Sequence, residues 1–117
     1  MKKLLFVDDE VLLALEAEVS LRAAGYDVTI AFSGEEALEK AVEHNPDLVL
    51  TDYMMPNLDG AGLVRELAVR GITAPVVVLT AVPEADLAPD IRDLFAAYLG
   101  KPVEKQQLLS CISTMLV

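Results

Sequence analysis

The stretch Leu48-Val49-Leu50-Thr51-Asp52-Tyr53-Met54-Met55-Pro56-Asn57-Leu58-Asp59-Gly60 runs from an unbroken apolar core, through a carboxylate, into turn formers. Leu48 to Leu50 shows neither the alternation of a half-buried strand nor the spacing of an amphipathic helix. A short continuous apolar run of this kind fits a parallel strand covered on both faces. Pro56, Asn57, Asp59 and Gly60 then mark a turn ahead of a helix that ends at Gly71. This strand–turn–helix unit places Asp52 at the carboxyl end of its strand.

The same unit recurs on either side. Lys3 to Val7 and Val76 to Leu79 are further apolar runs ending at polar residues, and Ala96 to Leu99 is a short fifth candidate. Asp27-Val28-Thr29-Ile30 alternates and reads as an edge strand. Between them lie helical segments. One spans about Val11 to Ala24 and stops at Gly25, a common helix terminator. Another opens at Ser33, with Glu36 as its capping-box partner, and ends before Asn45-Pro46. The last carries Leu108, Cys111, Ile112 and Met115 at helical spacing, so Cys111 is accounted for as a small core residue. Pro89 fits only the first turn of a helix. The segment after Thr80 therefore reads as a loop from Ala81 to about Ala88, followed by a short fourth helix from Pro89 to about Phe95.

Five strands alternating with five helices predict an α/β fold with a doubly wound parallel sheet. Strands one, three and four read as central and strands two and five as peripheral. That matches the flavodoxin-like order 2-1-3-4-5, in which function gathers at the carboxyl ends of the strands. The 117 residues suit one domain, taken as residues 1–117, and 54% hydrophobic content supplies its core.

Nineteen acidic residues against nine basic ones give a net charge of −10. That balance, with the bases scattered along the chain, opposes direct binding to nucleic acid or to an anionic membrane surface. No apolar run approaches the ~18 residues that span a bilayer. The apolar start at Leu4 stops at Asp8, too early for a signal peptide, so a cytoplasmic location is expected. Cys111 and His44 are each alone in the sequence, with no disulfide or Cys-based metal pattern, and His44 reads as a surface residue at a helix end.

The expected topology brings Asp8-Asp9, Asp52, Thr80 and Gly100-Lys101 to one edge of the sheet. Three crowded carboxylates repel, and a hard divalent cation such as Mg²⁺ removes that penalty. Lys101 adds positive charge and Thr80 a hydroxyl donor. Together these groups can hold phosphoryl oxygens while a carboxylate oxygen attacks phosphorus. Taken singly, each has a plainer reading. Asp8-Asp9-Glu10 can cap a helix, Asp52 can sit in a turn, Thr80 can finish a strand, and Lys101-Pro102 can be loop.

Taken together, the sequence resembles a response regulator receiver domain of two-component signal transduction. The resemblance rests on Leu5 to Glu10, Asp47 to Pro56, Leu58-Asp59-Gly60, Val78-Leu79-Thr80-Ala81 and Lys101-Pro102. It implies that Asp52 accepts a phosphoryl group from a sensor histidine kinase or a phosphotransfer protein, as in a phosphorelay. It implies that Asp8, Asp9, Asp52 and the backbone carbonyl of Met54 serve Mg²⁺, with Asp9 a direct ligand. Thr80 resembles the switch hydroxyl, Tyr98 the aromatic that reorients with it, and Lys101 the phosphate-binding lysine. Such a domain is a phosphoprotein switch and not an enzyme acting on an external substrate, although it promotes its own phosphotransfer and dephosphorylation. Its output is contact with a downstream effector protein or domain, through the fourth helix, fifth strand and fifth helix. Val103 departs from the aromatic often found after Lys-Pro, and the usual Gly-Ala lead-in to strand five is missing. A haloacid-dehalogenase-like phosphatase would carry an acid/base Asp where Met54 stands. A pseudo-receiver that only binds partners would lack one of the key residues.

Overall fold

The computed structural model describes residues 1–117. Five parallel strands, β1 (Lys3–Val7), β2 (Asp27–Ala31), β3 (Leu48–Asp52), β4 (Val76–Thr80) and β5 (Ala97–Gly100), form one sheet in the order β2-β1-β3-β4-β5. The crossovers carry α1 (Val11–Ala23), α2 (Gly34–His44), α3 (Gly60–Val69) and α4 (Pro89–Arg92), and α5 (Lys105–Met115) follows β5. The flavodoxin-like architecture expected from the sequence is the observed one.

Strand alternation sorts the core into two layers. Leu4, Phe6, Leu48, Leu50, Val77 and Leu79 pack under α1 and α5, against Ala14, Leu21, Leu108 and Ile112. Leu5, Val7, Val49 and Val76 face the other way, against Ala37, Leu38 and Ala41 of α2 and Leu63 and Leu67 of α3. All residues of β3 and β4 are buried, whereas β5 is half-buried at the sheet edge. Truncating a central residue such as Leu50 to Ala is the kind of change that costs ~2–5 kcal/mol.

Several boundaries move for identifiable reasons. β3 and β4 continue past their last apolar residue, because ladder pairing does not stop with hydrophobicity: Asp52 still pairs with Leu79, and Thr80 with Gly100. α1 ends on a φ of +99° at Gly25, where a side chain would be strained. The Ser33 hydroxyl oxygen accepts from the Glu36 N–H at 3.1 Å, as a cap should. The Glu36 carboxylate, however, accepts from Phe32, one residue before the partner a regular capping box would use. A second box, Glu104 with Gln107, opens α5.

The fourth helix is shorter than expected. Its α-helical part stops at Arg92, and Leu94 and Phe95 donate instead to Ile91 and Arg92, three residues back. The stretch read as loop also holds a 3₁₀ turn, Glu84–Asp86, and the Leu87 side chain after it is buried. No helix is long and apolar enough to cross a membrane.

Candidate functional site

The carboxyl ends of β1, β3, β4 and β5 deliver five polar side chains to one end of the sheet. Asp8 follows β1 and is 1% exposed, Asp52 closes β3 at 8%, and Thr80 closes β4 at 2%, while Asp9 is exposed. Lys101 leaves β5 with its backbone N–H on the Thr80 carbonyl at 2.8 Å. That bond fixes the root of the lysine one strand away from Asp52.

The Lys101 ammonium bridges two carboxylates, at 3.2 Å from Asp8 Oδ2 and 3.3 Å from Asp52 Oδ2. The other Asp8 oxygen accepts from the Glu10 N–H at 2.9 Å, which holds the carboxylate in place at the start of α1. One oxygen from each of Asp8, Asp9 and Asp52 lies within 4.8 Å of the others. Three carboxylates facing one ammonium leave the cluster with excess negative charge. Burial raises the pKa of Asp52, and Asp8 and Asp9 raise it further, so that Lys101 offsets the shift only in part. For Lys101, burial alone lowers the pKa, but attraction to Asp52 and Asp8 outweighs it and holds the ammonium above its usual value.

The donor set fits a hard divalent cation. It offers oxygens only, the unbalanced charge is negative, and Asp9 leaves the cluster open to water on one side. The Met54 carbonyl beyond Asp52 accepts no backbone hydrogen bond and is free to join such a set. Met54 itself is exposed, and its neighbour Met55 is buried in the α2–α3 layer.

The peptide leaving β3 is gripped from beneath. The Gly60 N–H, at the start of α3, donates to the Tyr53 carbonyl at 2.8 Å. A Cβ at Gly60 would come within 2.8 Å of the Asp52 carbonyl oxygen, so only glycine lets α3 approach this closely. The buried Thr51 hydroxyl donates to that same carbonyl at 2.9 Å. Tyr53 meets Phe95 edge to face, with ring centroids 6.5 Å apart.

Tyr98 lies away from the carboxylates, half-buried on β5, and reaches the segment after β4. Its hydroxyl donates to the Val82 carbonyl, while the Val82 N–H donates to Thr80 Oγ1 at 3.1 Å. Val82 stands out in the sequence as the apolar residue two past Thr80, but its link between Thr80 and Tyr98 was not legible there, because it is made through the backbone. A second missed feature is α1, which is apolar on both sides: Ala14, Ala17 and Leu21 face the core, while Leu12, Leu15 and Val19 face solvent. With Leu12, Leu15 and Val19 beside Ala14, Ala17 and Leu21, the sequence holds more apolar residues than one buried helix face can take.

The sequence matches the response regulator receiver domain over residues 4–113. The chain belongs to that family. This receiver domain is 41% identical over 113 residues to the transcriptional regulatory protein PdtaR of Mycobacterium tuberculosis, an alignment covering 95% of this chain and 55% of the relative. It is 36% identical over 119 residues to the response regulator ArlR of Staphylococcus saprophyticus, covering 99% and 53% respectively. The chain thus spans about half the length of the curated relatives it matches. Among solved structures, the Francisella response regulator 1452 receiver domain superimposes with a TM-score of 0.91 at 30% identity, covering 99% of this chain and 97% of the other. The Vibrio cholerae chemotaxis protein CheY4 gives 0.88 at 28% identity, with 99% of both chains covered. Receiver domains are signalling domains of two-component systems, and the polar cluster described above lies at the carboxyl ends of this one's strands.

Proposed function

We propose that this receiver domain is a cytoplasmic switch in which Asp52 accepts a phosphoryl group, with Mg²⁺ held by Asp8, Asp9, Asp52 and the Met54 carbonyl. The observation that carries the reading is the Lys101 ammonium poised between Asp52 and Asp8. Bound Mg²⁺ supplies positive charge against the phosphoryl oxygens. An Asp52 carboxylate oxygen attacks phosphorus, the P–O bond forms as the donor's P–N bond breaks, and the electron pair leaves with the imidazole nitrogen of a phosphohistidine. Lys101 neutralises charge on the transferring group, and Thr80 turns its hydroxyl proton toward a phosphoryl oxygen. The Thr80 oxygen can still accept from Val82 while its proton is redirected, so recruitment of Thr80 pulls on the segment that Tyr98 also holds.

The donor is a sensor histidine kinase or phosphotransfer protein. The solvent-facing stripe Leu12, Leu15 and Val19 supports this, because it starts four residues past Asp8 and presents the spacing that an apolar helix face packs against. The output is contact with an effector protein or domain through the α4, β5 and α5 side, and neither nucleic acid nor membrane is a direct partner.

Incubation with acetyl phosphate and Mg²⁺ tests the chemistry, with intact-mass analysis of wild type and Asp52→Asn. One added phosphoryl group in the wild type alone is expected, and equal labelling of both proteins rejects Asp52 as the acceptor.

A further inference from the structure

The nine bases that look scattered in the sequence do not stay scattered after folding. At the amino ends of the strands, opposite the carboxylate cluster, a cavity of about 340 Å³ is lined by Lys3 of β1, Arg22 of α1, and Lys40 and His44 of α2. One third of the chain's Lys and Arg residues and its single histidine thus meet in one place, on a protein of net charge −10. Asp27 is the only carboxylate in the lining.

The way these cations are held leaves the Lys3 and Lys40 ammonium groups without a carboxylate partner, while Arg22 is shared with Glu18. Lys3 Nζ sits 3.4 Å from the backbone carbonyl of His44, and Arg22 Nη2 donates to the Val28 carbonyl at 2.6 Å. Carbonyl dipoles orient a cation without neutralising it. No carboxylate lies within 4.0 Å of the Lys3 or Lys40 ammonium. The opposing acids are Asp27 in the lining, Glu18 at 3.4 Å from Arg22, and Glu43 at 3.9 Å from His44. Asp47 is turned to the Lys3 backbone N–H at 2.8 Å. Three permanent cations and an imidazole, brought from both sides of the sheet, surround a concave volume that suits a tetrahedral oxyanion.

We infer that this cavity is a second anion site, separate from Asp52, for a small phosphate-class oxyanion: inorganic phosphate or the head of a phosphomonoester. Lys3 and Lys40 supply its charge, Arg22 its remaining N–H donors, and His44 a further donor when protonated. It belongs to the amino end of the sheet and does not depend on phosphorylation at the other end.

His44 provides the readout, because it is the only histidine and lines the cavity at the end of the sheet opposite to Lys101. Its imidazole resonances are followed by NMR while inorganic phosphate, phenyl phosphate or sodium chloride is added at matched ionic strength and pH. The expected result is a saturable shift with the phosphates and none with chloride. Tighter binding of phenyl phosphate marks the pocket as one for an ester, and tighter binding of inorganic phosphate as one for the free ion. Lys3→Gln/Lys40→Gln should weaken binding about tenfold with an unchanged circular dichroism spectrum, and Lys40→Arg should retain it. A shift equal to that in chloride, or equal affinity in the charge-removed double variant, overturns the assignment.

Discussion

The hydroxyl of Tyr98 donates to the backbone carbonyl of Val82, so the edge strand β5 is tied to the first residues after β4. The Val82 N–H is committed to Thr80 at the same time. One residue therefore hangs between the hydroxyls of Thr80 and Tyr98, and neither can move without disturbing it.

Tyr98→Phe removes one end of that suspension and leaves the ring. A half-buried neutral hydrogen bond contributes about 1 kcal/mol, so stability should fall by that order. The more specific expectation is faster hydrogen exchange from Ala81 to Leu87, with protection of β3 unchanged. Equal exchange in both proteins would show that the bond does not restrain the segment.

Asp52→Asn should stabilise the metal-free protein at neutral pH. Burial, and then Asp8 and Asp9, raise the Asp52 pKa above its ordinary 3.8, so the fold favours the protonated acid. The stabilisation Asp52 gives is fully present below that ordinary value and is lost as pH rises through the folded-state value. The two proteins should thus match below about pH 3.8 and diverge upward, with the Asn variant the more stable of the two by pH 7. Thermal melts in EDTA across this range check the sign, and a less stable Asn variant at neutrality would contradict it.

Asp9→Ala should lose most Mg²⁺ affinity, by at least about tenfold, while the fold persists. Asp9 is exposed and takes no part in the core, and its loss relieves repulsion toward Asp8 and Asp52. Calorimetric titration of Mg²⁺ measures the effect, and an unchanged binding isotherm would remove Asp9 from the ligand set.

Phosphorylated protein should lose its phosphate slowly. Met54 is apolar and exposed beside the acceptor, and Val82 is apolar and bound through its backbone, so neither orients an attacking water. Met54→Asn and Met54→Glu should each speed hydrolysis several-fold, followed as phosphate release after removal of the donor. Unchanged rates in both variants would place control of hydrolysis elsewhere.

The strands and their order were legible because parallel strands buried on both faces write themselves as apolar runs, and the lone alternating segment, Asp27 to Ile30, became the edge strand β2. Asp8, Asp9, Asp52, Thr80 and Lys101 were legible as a group because topology, and not sequence proximity, brings strand ends together. What stayed hidden follows from backbone contacts. The Val82 suspension and the Gly60 contact beneath Asp52 involve N–H and carbonyl groups that every residue possesses. The cationic cavity escaped notice for the opposite reason: Lys3, Arg22, Lys40 and His44 are conspicuous residues, but their convergence depends on two helices on opposite faces reaching the same sheet edge.

Arg22 has a further consequence for how this chain behaves among its own copies. Asp27 donates to Lys2, and Ala31 accepts from Asp8, so these alternate residues of β2 face β1 and the Val28 carbonyl points off the free edge of the sheet. A bare parallel edge is a template on which another molecule can add a strand, the first step toward aggregation. Arg22 occupies that carbonyl with a charged, bulky guanidinium, which an incoming strand would have to displace before its own N–H could pair. The helix that precedes β2 thereby guards the β2 edge of the sheet at this carbonyl.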